Sequence, residues 1–471
     1  MDASNPERYL LGVSAAITLY RKAGQIPSIN KTPPPPACEP DELPRCNPAA
    51  AIRLATILSS QYGNILPEWL MLAEKNGKRV PEELLPELLE WGTDNPDHLE
   101  LILPVIGRRG NWLASLNPVW AVINTASLAV SAQDDQLEEV WQTGERKSRR
   151  VLLRLLRGKS ASSGRNLIAS TWGVESAEDR AAFLATFATN LSMEDEPFLE
   201  AALNDRSKEV RQTAARLLAC LPQSRLVERM IRRVQPLLRL EAGRWPLRRA
   251  RIEVIFPETC DTELSRNGVE AKPPSGQTIG EKAWWLRQMM QMVPPQVWNQ
   301  WWHKSAGELL EIAADGEWRE LLHEGWYIAT LLHRDADWAI AMLKIYPQRT
   351  LLLEAVEPGK REPFIHALIQ SQPKDGMALA IGYRHPWSQA LTRLVLSNLR
   401  RYYLTDQGIP FYSQLRQVFL EIGQHMHPES LPDAERILKG KEDDNSAWKQ
   451  AVQSLLSLLE FRHQMIEELT S

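Results

Sequence analysis

The chain has only four cysteines in 471 residues, which excludes a fold held together by disulfides. It has no uninterrupted apolar run of the ~18 residues that a membrane-spanning helix needs. Its first residues, from Met1 to Arg8, are polar and lack the layout of a secretory signal. The net charge is -4, too small for a generic binder of polyanions. These absences predict a soluble, cytoplasmic protein with no membrane role.

Motifs of catalysis are missing as well. Gly158-Lys159-Ser160 ends like a phosphate loop, but Leu153 stands where the first glycine belongs. Gly359-Lys360 runs on into Arg361. Neither a dinucleotide fingerprint nor a nucleophile elbow is present. His323-Glu324 begins like a zinc-protease helix, but Tyr327 takes the place of the second histidine. His425 and His427 sit beside Pro428. Cys38 and Cys46 are eight positions apart, and Cys220 and Cys260 stand alone, so no CxxC metal pair forms. Asp335/Asp337 and Asp443/Asp444 fall at helix starts, where capping accounts for them. No catalytic residue, cofactor or metal is therefore assigned.

Tryptophan is what the chain has in excess: 17, against 8 Phe and 9 Tyr. Such rings fill gaps between helices or anchor interfaces. Leu and Ala recur at spacings of three and four, and strand-like alternation is nearly absent. The 32 prolines and 24 glycines cut the chain into short pieces. The pattern predicts an all-α fold of helical hairpins, stacked as an α-solenoid or an irregular array. Four regions are expected: an N-terminal helical domain over 1–130, a basic repeat region over 131–256, a linker over 257–280, and a Trp-rich helical domain over 281–471. Pro33–Pro36 reads as an exposed loop or as a docking peptide for a proline-reading domain.

One unit has a recognisable pattern. Asp195 to Leu203 gives a short helix opening on acids and Pro197, Asp205 lies in the turn, and Glu209 to Ala219 gives a second helix. This resembles a HEAT repeat. Val210, Ala214, Leu217, Leu218 and Leu221 fall on one helical face, and Asp205 or Ser207 is placed to cap it. The segments Leu226–Leu240 and Trp245–Val254 are read as neighbouring helices.

Charge is unevenly spread. From Arg206 to Arg251 there are 13 basic residues and three acids, a balance of +10; from Glu145 to Arg165 there are eight and one, or +7. Acids from Glu175 to Glu196 lie between the runs. This positive middle third could bind nucleic-acid phosphates, meet an acidic protein surface, or pair with its own acids. Arg206, Lys208, Arg211, Arg232, Arg233, Arg248 and Arg249 are the candidate partner-binding residues there. A second candidate is the sequence Gly107-Arg108-Arg109-Gly110-Asn111-Trp112, read either as a loop tip able to hold a phosphate or carboxylate on Arg108 and Arg109 beside Trp112, or as an ordinary helix–helix turn with Trp112 folded back into the core.

The Gly107–Leu113 motif with Asn117-Pro118, the Asp195–Ala219 unit, and Ala283-Trp284-Trp285 followed by Val293-Pro294-Pro295 and Trp298 resemble a bacterial family of unknown function. Pro33–Pro36 looks like an insertion relative to its pattern. The resemblance implies a helical, HEAT-related protein encoded beside a MoxR-type AAA ATPase, a von Willebrand A-domain protein and a SWIM zinc-finger protein. It implies a non-enzymatic scaffold or adaptor in that system, with the ATPase and the A-domain protein as partners. The alternative is a nucleic-acid-binding HEAT-like protein, including an enzyme similar to the helical-repeat DNA glycosylases. In that case Arg211, Arg232, Arg233, Arg248 and Arg249 would line one concave strip.

Overall fold

The computed structural model describes residues 6–24, 35–59, 62–131, 134–241, 243, 250–403, 412–438 and 446–471. It divides into two units, Met1–Pro40 and Asp41–Ser471. The first unit contains helix α1 (Pro6–Ala23), which carries exposed Leu10, Leu11, Ile17, Leu19 and Tyr20. Pro35 and Pro36 lie outside any helix, and Pro33 and Pro34 are outside the described residues.

The second unit is almost wholly helical. It opens with α2 (Pro48–Leu58), α3 (Leu66–Lys75), α4 (Leu85–Asp94), α5 (Leu99–Leu116) and α6 (Ala121–Ser131). Proline stands at the first or second position of α2, α3 and α4, where its missing N–H leaves no bond unmade. Asn47 caps α2 by accepting from the Ala50 N–H at 2.8 Å. Leu54, Trp69, Leu70, Leu88, Ile102 and Ile123 are completely buried in the shared core of these helices. Each such side chain stabilises by about 1.5–3 kcal/mol.

The middle holds α7 (Asp134–Thr143), α8 (Arg146–Lys159), α9 (Ala161–Thr171), α10 (Ala177–Ala185), α11 (Glu196–Ala202), α12 (Lys208–Ala219) and α13 (Arg225–Val234). The predicted apolar face of α12 is buried: Val210, Ala214 and Leu218 have no exposed surface, and Leu217 and Leu221 have little. The expected helix over Leu226–Leu240 stops at Val234, because Pro236 cannot continue it. The chain then forms a two-stranded antiparallel sheet, β1 (Leu238–Glu241) with β2 (Arg251–Val254). This corrects the helical reading over Arg251–Val254; residues 245–249 are outside the described residues. Leu238 faces Val254 and Leu240 faces Ile252, while Arg239 faces Glu253 and Glu241 faces Arg251. Apolar and charged pairs thus alternate across the ladder.

The last stretch comprises α14 (Thr262–Arg266), α15 (Glu281–Gln291), α16 (Pro295–Trp302), α17 (Ala306–Ala314), α18 (Arg319–His333), α19 (Ala336–Leu343), α20 (Pro358–Ser371), α21 (Pro373–Ile381), α22 (Gln389–Arg401), α23 (Tyr412–His425), α24 (Leu431–Leu438) and α25 (Ser446–Thr470). Segment 257–280 contains α14. Its Leu264, with Val269 beyond it, enters the same core as α12 and α15. Most tryptophans of this stretch fill helix–helix gaps. Trp298, Trp326, Trp338 and Trp448 are fully buried, and Trp326 lies 5.0 Å from Trp338, ring to ring. Helix α25 packs on α23 and α24 and also on α2 and α3. Its Leu458, Phe461, Met465 and Leu469 complete the N-terminal core.

Candidate functional site: a basic groove beside a charge ladder

The two positive runs meet the acids between them. Arg146 pairs with Glu178 at 3.0 Å and also with Asp179. Arg149 pairs with Glu175 and lies over the ring of Trp141. From the other side, Arg180 makes a two-pronged bond to Asp205 at 2.8 and 3.0 Å. Arg225 holds Glu196 in the same way at 2.8 and 3.2 Å, and Arg229 holds Glu200 at 2.8 Å. The Arg225 hydrogen bond is the main reason the Glu196 carboxyl sits below the usual carboxylate range. Successive helices are therefore bridged by a ladder of opposite charges, whose mutual attraction offsets the cost of taking them out of water.

Its deepest rung is Arg157–Asp195, both side chains wholly buried and 2.8 Å apart. Arg157 also donates to the carbonyls of Thr189, Ala161, Phe187 and Asn190 and stacks over Phe187. Arg165 adds a second cation to Asp195 at 2.7 Å. A buried charge is tolerable when every donor and acceptor finds such a partner.

Of the candidate residues, Arg233 is a rung of this kind, bonded to Asp261 at 2.9 Å and Glu263 at 2.5 Å. Arg232 is exposed and reaches Glu228 on its own helix at 3.5 Å, a surface pair worth little. Arg248 and Arg249 are outside the described residues. Arg108 and Arg109 are not on a loop. Gly107 adopts φ 66° and ψ -171°, a kink within α5, and the helix resumes at once. Asp41 explains this: its Oδ1 accepts from the Arg109 N–H at 3.2 Å and takes the space a Gly107 Cβ would need. Arg108 pairs with Glu42, Arg109 reaches Glu82 at 3.3 Å, and Trp112 is half-buried on α5.

Lys208, Arg211 and exposed Arg206 come together at the start of α12. Asp205 accepts the Ser207 N–H at 2.8 Å, which shapes the turn, while the Ser207 side chain makes no cap bond. Arg211 donates to the carbonyls of Asp205 and Arg206 at 2.8 and 3.0 Å. It lines two open clefts, of about 380 and 370 Å³. The first is walled by Lys208, Gln212, Glu270 and Lys272, the second by Asn204, Cys260 and Arg266. Gly268, at φ +85°, lets the chain pass so close to α12 that a Cβ there would sit 2.5 Å from Ala215 Cβ. Glu270 bonds Lys208 at 3.0 Å and also Gln212, and its carboxyl is held low, chiefly by the Lys208 hydrogen bond. The Glu270 backbone is pinned by Gln288 at 2.8 and 3.0 Å.

Sequence reasoning found Lys208 and Arg211 but not Glu270, Lys272 or Arg266, which come from a distant segment that bears no motif. Such a groove can hold an anionic group by direct charge-assisted bonds. Among the described residues no three metal-ligating side chains converge, and no single helix is long and apolar enough to cross a membrane. No curated protein and no solved structure matches the chain. The profile of the family of unknown function DUF5691 matches residues 1–469, and the chain belongs to that family.

Proposed function

We propose that the protein is a non-enzymatic helical scaffold, acting in the cytoplasm, that docks an acidic segment of a partner protein in the groove at the start of α12. We read α11 and α12 as a HEAT-like hairpin within a stacked helical array, and the partners as a MoxR-type AAA ATPase and its von Willebrand A-domain protein. One observation carries the reading. Arg180, Arg225, Arg229 and Arg233 are each bonded to acids, whereas the cleft lined by Lys208, Arg211 and Lys272 has one carboxylate in its lining, Glu270, which bonds Lys208. That local surplus suits a short acidic patch better than a long phosphate backbone, which needs many free cations in a row. The nucleic-acid and glycosylase reading has less support, since Arg233 is tied to two acids and Arg211 to main-chain carbonyls.

The test is capture of partners from native extract by the tagged protein, with and without nuclease. Recovery of an AAA ATPase or A-domain protein that survives nuclease supports the scaffold. Proteins lost on nuclease treatment overturn it in favour of nucleic acid. Lys208→Glu with Lys272→Glu, both on exposed side chains, is expected to cut capture by about tenfold, the effect of losing one or two charge-assisted contacts. Undiminished capture removes the groove from the account.

A further inference from the structure

A separate cleft of about 400 Å³ lies between residues 276–280, α15 and the start of α18. Arg287 lines it. Arg287 Nη2 donates to Gln277 Oε1 at 2.6 Å, and the guanidinium stands 4.7 Å from the centre of the Trp284 ring. Its Nε is buried without a hydrogen-bond partner. Among the described residues no carboxylate comes within 4.0 Å of it. Elsewhere in the fold a sheltered guanidinium holds an acid, as Arg149, Arg157, Arg180 and Arg462 do. Burial pulls the Arg287 pKa down from its ordinary value, against the opposing pull of the more distant Glu324 and Glu320 carboxylates, so its charge is only partly compensated. Glu317 and Glu320 line the same cleft, exposed and without an ion pair among the described residues. Trp318, Leu321, Ile279 and Ala283 add apolar surface to the lining. Trp318 is held in place edge-on to Phe256, 4.8 Å away.

We propose that this cleft is a receptor for a zwitterionic ligand of amino-acid or dipeptide size, its carboxylate on Arg287 and its ammonium group toward Glu317 and Glu320. A simple anion would meet the two rim acids, and a simple cation would meet Arg287. A molecule carrying both charges satisfies all three groups and lays its apolar body on Trp318 and Leu321. The cleft volume lies at the small end of the range for ligand pockets, about 300–1,000 Å³.

The experiment is a thermal-shift screen of the full chain with the common L-amino acids and alanine-containing dipeptides, followed by calorimetric titration. At least one compound is expected to raise the melting temperature saturably, as a ligand of the folded state must. Its N-acetylated and C-amidated forms are expected to bind about tenfold or more weakly, and so are Arg287→Gln and the pair Glu317→Gln with Glu320→Gln. Arg287→Lys keeps the cation and is expected to retain part of the affinity. Circular dichroism checks the fold of Arg287→Gln. If that variant unfolds, the rim pair, which is exposed, carries the test alone. The proposal is overturned if no compound binds, if acetate or succinate binds as tightly as the zwitterion, or if the blocked forms bind equally well.

Discussion

Glu68 and Arg462 are 394 positions apart in sequence and meet in a two-pronged ion pair, with both bonds at 2.7 Å. The same guanidinium donates to the carbonyls of Gly423 and Met426 at 2.7 and 2.6 Å. It thereby ties α3, α23 and α25 together at one point. A second tie, Arg53 to Glu468 at 2.6 Å, joins α2 to α25. Arg462→Met should therefore lower stability by about 2–4 kcal/mol, because two buried carbonyls lose their donor and the half-buried Glu68 loses its cation. Glu68→Gln, which leaves the two carbonyl bonds in place, should lower it by about 1–3 kcal/mol. Urea unfolding of the two variants beside the parent chain measures both, and equal losses would contradict this ordering.

Asp195→Asn tests the innermost rung of the ladder. Its two cations, Arg157 and Arg165, would face a neutral amide, and Arg157 has no exposed surface from which to recover water. A loss of about 3–5 kcal/mol is expected, seen as a lowered urea midpoint. Arg146, whose side chain is half exposed, is the contrast. Arg146→Gln is expected to change stability by less than about 1 kcal/mol.

Gly268 and Gly276 separate backbone strain from steric conflict. Both have positive φ, +85° and +89°, but only Gly268 faces a neighbour that a Cβ would strike. Gly276→Ala is expected to lose about 1 kcal/mol from strain alone. Gly268→Ala adds the collision with Ala215 and is expected to lose about 2–4 kcal/mol. Thermal melts of the two variants suffice, and equal shifts would mean that the 268–270 chain moves away from α12 without penalty.

Stability should fall on mild acidification. Burial pushes the His333 pKa down to about 4, and burial together with the Arg384 and Arg462 cations does the same for His425. Both are neutral when folded, whereas in the unfolded chain each takes a proton near 6.5. The unfolded state therefore binds more protons between pH 6.5 and about 4. The stability contributed is complete above pH 6.5 and drains as pH falls through that window, by about 3 kcal/mol at its lower end for His333 and by less for the more solvent-screened His425. Replacing both histidines with leucine should flatten the curve of unfolding free energy against pH over that range. A slope unchanged by the double variant would assign the effect to other groups.

Local features were readable from the sequence wherever one helix decides the matter. The buried face of α12 follows from Val210, Ala214, Leu217 and Leu218 at helical spacing, and α25 follows from its long amphipathic run. The strand pair has a weak sequence signal of its own: Leu-Arg-Leu-Glu and Arg-Ile-Glu-Val each alternate with period two, as half-buried strands do, but over only four residues each. The kink at Gly107 was not readable, because its cause, Asp41, lies 66 positions earlier. The charge runs showed where cations lie but not their partners. Arg180 finds Asp205 and Arg233 finds Asp261 only after helices pack. The Arg287 cleft left no trace in the sequence, since its lining is drawn from two segments, 276–287 and 317–321, that bear no motif.

The docking of α25 on α2 and α3 sets a schedule for synthesis. The ribosome delivers residues 48–75 early, but Leu458, Phe461, Met465 and Leu469, which complete their core, are about 400 residues behind. At about 5–20 residues per second that is a wait of roughly 20–80 s. Throughout it, the emerging N-terminal helices present an apolar face to the surrounding medium, so nascent chains stalled before α25 should be the species that chaperones hold and proteases find.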